Sequence, residues 1–331
     1  MRFSFSLLYL ILFLFLLSSC DDMKDVPTPV DLPETPGESG KIFVLSEGLF
    51  NMNNSTLSLI NFENRTIKPD FFSSVNDRKL GDTANDMKIY GNWLWIVVNV
   101  SSQIEVIDIN SGISVRRIPI FNDRGVARQP RFITFSGIKA YVCSFDGTVT
   151  RIDISTLTVD GNVSCGRNPD GITVANGKVY VSNSGGLDQP DYDNTVSVID
   201  LNTFTEIKKI TVGVNPYKME TDNEGDVYVV SRGNNSDIKA NWSRINSQTD
   251  EVVQTFDCKT EQLISENFIS DSTKLERPFG IYVHPTNGNV YLTDAHTYTI
   301  KGDLLCFNRN GKLQYKLESI GLNPNAIIAV P

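Results

Sequence analysis

The sequence predicts an all-β chain: a single β-propeller of four-stranded blades, six in number. Three observations carry that reading. Short runs rich in Val, Ile and Tyr alternate or stay apolar over a few positions, and no longer stretch shows a helical stripe. Three kinds of mark recur about every 45 residues from Lys41 onward, a repeat length typical of propeller blades. The two ends of the chain each supply part of one blade.

The first mark is an aromatic residue inside a β-branched run, at Phe43, Trp95, Tyr141, Tyr180, Tyr228 and Tyr291. The second is an apolar residue followed by Asp or Asn: Ile60-Asn61, Ile107-Asp108, Ile152-Asp153, Ile199-Asp200, Ile245-Asn246 and Phe307-Asn308. A side-chain oxygen there can accept hydrogen bonds from the backbone ahead and start a turn. The third is a proline opening an apolar strand, at Pro130, Pro169, Pro216, Pro278 and Pro324, with Ala84-Asn85 in the same place without proline. A fourth strand, such as Glu206–Ile210, completes each repeat. Four strands per repeat, arranged radially, make a propeller. The aromatics are expected between blades and the prolines at turns, with no catalytic role.

Asn323–Val330 reads as a first strand with nothing after it, and Lys41–Leu45 as a second strand with none before it. Joined, they complete a blade, so the C-terminal strand closes the ring and leaves no sheet edge unpaired at that seam.

Composition narrows function. The 331 residues are 40% hydrophobic and 10% aromatic, enough for a substantial core. A formal charge of −9 argues against gripping nucleic acid. Two His and no paired Cys motif argue against a zinc enzyme.

Arg2 precedes the apolar run Leu7–Leu17, too short to span a bilayer and suited to a secretory signal over residues 1–19. Leu17-Ser18-Ser19-Cys20 resembles a bacterial lipobox. That resemblance implies cleavage before Cys20, lipidation of Cys20 and anchoring in outer-membrane lipid, which two or three acyl chains would make stable. Residues 20–40 read as an acidic, Pro-rich tether that would reach about 60 Å if extended. Asp21, Asp22, Asp25, Asp31, Glu34 and Glu38 face only Lys24 there. An acidic stretch after the lipidated Cys resembles the surface-export signal of Bacteroidetes lipoproteins, implying display on the cell surface. Residues 41–331 are the propeller.

Binding is expected at the mouth of the ring built by the loops that leave the aromatic strands and enter the proline strands. Candidate ligand-binding residues on these loops are Phe50, Asn51, Arg124, Arg128, Arg167, Tyr192, Arg232, Trp242, His296 and Tyr298. Their amide, guanidinium and aromatic groups suit a polar ligand with flat surfaces. His296 could ligate a metal or metallated cofactor. Asp188, Asp191 and Asp193 cluster weakly like a calcium loop, without the Gly and final Glu of an EF-hand. No nucleophile elbow, Cys-His pair or metal-binding His pair appears, so no catalytic residue and no cofactor are expected. Cys143, Cys165, Cys258 and Cys306 remain after Cys20, with either a Cys143–Cys165 bond or buried free thiols open.

The chain resembles the lipid-anchored YncE-like propellers of Bacteroidetes. The residues that carry this are the lipobox at Cys20, Ser46-Glu47-Gly48 with Asn53–Ser58, Leu80-Gly81-Asp82, Trp95–Asn99 and Pro285–Tyr291. That class includes surface lipoproteins that capture cobalamin and hand it to a TonB-dependent transporter. It usually has seven blades, whereas this chain shows six, with a blade lost between Phe256 and Arg277. The resemblance implies a non-catalytic, corrinoid-like nutrient binder. A lipid-anchored protein-interaction module and a channel-metal lyase or hydrolase are the alternatives.

Overall fold

The computed structural model describes residues 29–32, 34–35, 38–234, 236–257 and 268–330. The signal stretch, Cys20 and Cys258 lie outside the described residues. Blade 1 begins with β1 (Val30–Asp31), β2 (Lys41–Ser46), β3 (Thr56–Asn61) and β4 (Thr66–Lys68). A short helix, α1 (Phe71–Asn76), follows; Asp70 caps it by accepting from Ser73 N. Blade 2 is β5 (Ala84–Tyr90), β6 (Trp93–Val98), β7 (Gln103–Asp108) and β8 (Ser114–Pro119). Blade 3 is β9 (Pro130–Ser136), β10 (Lys139–Ser144), β11 (Thr148–Asp153) and β12 (Thr158–Ser164). Blade 4 is β13 (Pro169–Ala175), β14 (Lys178–Asn183), β15 (Thr195–Asp200) and β16 (Thr205–Thr211). Blade 5 is β17 (Pro216–Thr221), β18 (Val227–Ser231), β19 (Asn241–Asn246) and β20 (Glu251–Asp257). Blade 6 is β21 (Pro278–Val283), β22 (Val290–Asp294), β23 (Lys301–Phe307) and β24 (Leu313–Leu322), and β25 (Pro324–Val330) ends the chain.

Every sheet is antiparallel, and in blades 2 to 6 the strands run in sequence order from the inside out. β25 pairs with β2, from Lys41 opposite Val330 to Ser46 opposite Pro324, and so becomes the inner strand of blade 1. The ring therefore joins the two ends of the chain as the sequence predicted, and the six-bladed propeller is the observed fold.

Local chemistry explains the regularity. Asn61, Asp108, Asp153, Asp200, Asn246 and Asn308 each accept from backbone N–H groups two to four residues ahead, which fixes the turn after the third strand. The residue before most inner strands is left-handed: Thr83, Gln129, Asn168, Asn215 and Asn323 have φ between 44° and 58°. Neighbouring inner strands approach closely, and a Cβ at Gly171 would lie 2.1 Å from the Tyr217 carbonyl oxygen. Middle strands such as β6 are apolar on both faces because each blade is sandwiched, whereas β8, β12 and β16 are exposed.

Among the described residues, apolar clusters fill five seams between blades. None of these clusters joins blade 5 to blade 6. Phe279, Ile281 and Val283 on β21 and Val230 on β18 are exposed there.

The stretch expected to be a free tether differs from that expectation. Val30 and Asp31 pair with Ile67 and Thr66 as a fifth strand outside β4. Leu32 is buried with Phe62 and Ile67, its N–H bonding the Arg65 carbonyl at 2.8 Å. Glu38 accepts from Asn289 Nδ2 at 2.8 Å, reaching blade 6. The apolar Val30 and Leu32, too few to show periodicity, find a ready strand edge in β4.

Candidate functional site

The first side chain after each inner-strand opening forms a ring around one mouth of the channel. In blade order from β25 it reads Asn325, Asn85, Arg131, Asp170, Tyr217 and Phe279. Glu47, after β2, and Arg232, after β18, reach this ring from the second-strand loops.

A continuous chain of contacts runs along most of it. Asn325 and Asn85 both donate to Glu47 Oε1, at 3.1 and 2.8 Å. Asn85 Oδ1 accepts from Arg131 at 2.5 Å. Arg131 Nε donates to Asp170 Oδ1 at 2.7 Å, and Arg232 donates to Asp170 Oδ2 at 2.9 Å. Asp170 is thus a 4% exposed carboxylate shared by two guanidinium groups. Each guanidinium also covers a ring: Arg131 lies 4.5 Å from the Phe145 centroid, and Arg232 lies 4.2 Å from that of Tyr217.

Burial sets the electrostatics. Desolvation pushes the Glu47 carboxyl above the usual carboxylate range, only partly offset by Arg131 and the two amides. Asp86, one position further down β5, is raised for the same reason. Burial works against the Arg131 charge, but Asp170 and Glu47 more than compensate and raise its pKa. Desolvation, with the Asp170 charge next, pushes Tyr217 up to about 12. Lys218 lies 5.9 Å from the Tyr217 ring centroid and 5.7 Å from that of Phe132.

Beside the ring, between the loops of blades 3 and 4, lies a cleft of about 450 Å³. Phe145, Asp146, Arg167, Asn168, Asp188 and Lys209 are among its lining residues. Phe145 is common to both places, its ring lying under Arg131 and the residue lining the cleft.

The loop residues proposed from the sequence divide accordingly. Arg232 joins the ring, and Arg167 lines the cleft. Arg128 stands nearby and donates to Asp146 at 2.7 Å. Tyr298 packs edge-on against Phe279 with ring centroids 5.7 Å apart, and Arg277 lies over its outer side. Phe50 and Arg124 sit exposed on loop tips away from these contacts. Asn51 is used for bracing, its N–H bonding Asp82 Oδ1. Tyr192 belongs to the loop that Arg167 ties down. Trp242 belongs to β19, not to a loop, and its ring packs against Tyr228.

His296 is engaged within the protein. Its Nε2 lies 2.8 Å from Asp303 Oδ2, and Nδ1 lies 3.5 Å from Glu276 and 3.8 Å from Asp294. The aspartates suggestive of calcium are ion partners of Arg167, at 3.1 Å for Asp188 and 3.4 Å for Asp191, with Asp193 at 4.0 Å. No group of three or more His, Cys, Asp or Glu is placed to hold a metal among the described residues. Cys143 and Cys165 are free thiols, packed in the same seam between blades 3 and 4. Burial raises both pKa values, that of Cys165 to about 12.

Sequence reasoning missed Glu47, Asn85, Arg131, Asp170, Tyr217, Phe279 and Asn325 as site residues. The signal was present: at five of the six openings the residue follows a proline directly, and four of those five are polar or Tyr.

Two solved structures share the fold. A solved structure from Bacteroides thetaiotaomicron, described as a quinonprotein alcohol dehydrogenase-like protein, superposes with a TM-score of 0.65 at 15% identity, covering 88% of this chain and 78% of that one. A protein of unknown function from Bacteroides caccae gives 0.53 at 13% identity, covering 88% and 98%. Kuenenia stuttgartiensis hydrazine synthase gives 0.46 at 16% identity, and this chain spans 60% of that chain's length. No curated protein matches the sequence. Residues 40–300 match the family described as Domain of unknown function (DUF5074), and the chain belongs to that family.

Proposed function

We propose that this propeller is a capture protein that binds a small polar ligand at the channel mouth and does not turn it over. The observation that carries this reading is the Asp170 bracket, in which two guanidinium groups converge on one buried carboxylate beside a cleft of about 450 Å³. Interlocked, half-buried polar groups of this kind hold donors in place for a ligand and limit the ordering cost of binding. The cleft is of the size that small-molecule sites occupy.

The resemblance to YncE-like surface lipoproteins extends the proposal. Lipid on Cys20 would hold the propeller at the outer membrane facing outward. Its ligand would be corrinoid-like, and a TonB-dependent transporter would receive it. His296 is then an internal ion partner and not an axial ligand, because its Nε2 is already taken by Asp303. The test is calorimetric titration of the purified protein with cyanocobalamin, with the visible spectrum recorded in parallel. Heat at micromolar ligand, abolished in Arg131→Met, is the expected result. Absence of heat and of any spectral change removes the corrinoid assignment.

A further inference from the structure

We infer that the ligand of the channel mouth is a flat aromatic ring bearing an anionic oxygen group, of the aromatic carboxylate class. The inference rests on the capture reading above, and it names the ligand class that the rim's own side chains favour in place of the corrinoid-like ligand that only the resemblance implies.

The rim is divided by chemistry. Asn325, Asn85, Arg131 and Asp170 make a polar arc, and Tyr217 and Phe279 occupy the equivalent places on blades 5 and 6. Phe279 is exposed, as is Tyr298 packed against it, so an aromatic surface faces solvent at the mouth. Aromatic faces and edges of this kind take flat rings.

The anionic requirement comes from the bracket. Both oxygens of Asp170 are occupied, one by each arginine. Arg131 is the deeper, held by Asp170, Asn85 and the Phe145 face. Arg232 is the second cation on the same carboxylate, and 40% of its side chain is exposed. Its neighbour Lys218 is also exposed. Within the bracket one carboxylate faces two cations, and Lys218 adds a third cation beside the same Tyr217 ring. Arg232 stands against the Tyr217 ring, so a group bound to its outer edge would place an attached ring alongside Tyr217. A guanidinium fork favours carboxylate or phosphate oxygens over a neutral amide.

The test compares indole-3-acetate, its neutral isostere indole-3-acetamide, and acetate, by calorimetry and saturation-transfer NMR on the intact purified protein. The acid is expected to bind about tenfold more tightly than the amide, the discrimination typical of one charge-assisted contact, and acetate not at all. In Arg232→Gln, acid and amide should bind equally. In Phe279→Ala, both should weaken together. Arg131 still holds Asp170 in the first variant and Phe279 is 38% exposed in the wild type, so both variants should fold, and their melting temperatures are recorded alongside the titrations. Equal binding of acid and amide to the wild type overturns the inference, as does an acid preference that survives in Arg232→Gln. If neither indole binds but cyanocobalamin does, the ligand class is wrong and the capture reading stands. If cyanocobalamin also fails, the capture reading loses its corrinoid support as well.

Discussion

Ile281 and Met219 hold the same place, three residues past the proline that opens β21 and β17, yet Ile281 is 71% exposed and Met219 is 5% exposed. Met219 packs against Tyr180, Val196 and Val198 of the preceding blade. Ile281 belongs to none of the apolar clusters among the described residues. The two strands have the same pattern but different neighbours. Met219→Ala should cost about 2–5 kcal/mol in urea unfolding, and Ile281→Thr less than about 0.5. Comparable losses at the two positions would mean that the seam between blades 5 and 6 is filled.

Asp170→Asn removes the charge shared by Arg131 and Arg232. Arg131 is mostly buried, so an uncompensated cation remains inside. The variant should lose about 3 kcal/mol of stability, and the double variant Arg131→Met, Asp170→Asn should recover part of that loss.

Glu47 has a raised pKa, chiefly from burial. The folded state then binds its proton more tightly than the unfolded chain does. Glu47 should therefore favour folding in acid and oppose it progressively as pH rises from the ordinary carboxylate value through the raised one. Urea midpoints for Glu47→Gln and wild type should converge near pH 4 and separate by pH 7, with the variant the more stable.

His296 works in the same direction at higher pH. Burial depresses its pKa, but the hydrogen bond and charge of Asp303, with Asp294 and Glu276 behind, raise it overall. Lys316, 2.7 Å from Asp303, shares that carboxylate. The stabilisation is complete below the ordinary histidine value of about 6.5 and is lost as pH climbs through the raised value. An NMR titration should place the His296 imidazole above the ordinary histidine value of about 6.5. His296→Gln should flatten the stability profile over that window.

Deleting residues 323–331 removes β25 and leaves β2 without its inner partner. Ile327 also leaves the seam between blades 6 and 1. The truncated chain should lose its cooperative thermal transition by circular dichroism. An unchanged transition would show that ring closure contributes little.

The repeat was legible because its punctuation is local. Asp108 and Asp200 make turns with residues two and three ahead, so the geometry is written in adjacent letters. Closure was legible because a propeller has only one use for a lone first strand at the end of the chain. The rim's position was marked by the prolines but its role was not legible, because a residue just after a strand-opening proline reads as the start of the strand until the ring sets it at the channel mouth. Asp170 meets Arg131 and Arg232 across 39 and 62 residues of sequence, a separation that no short-range pattern encodes. Trp242 reads as loop because the Gly and Asn residues before it extend the turn signal up to the edge of β19. The helix α1, at six residues, is too short to show periodicity.

The β1 graft onto β4 has a mechanical consequence. Traction applied at the amino-terminal arm is borne first by the rim of blade 1, where Leu32 must be drawn from its socket and the Val30–Ile67 pairing sheared. Extracting one leucine costs only about 1.5–3 kcal/mol. The graft therefore yields before the β25–β2 joint, which is paired along the whole of β2.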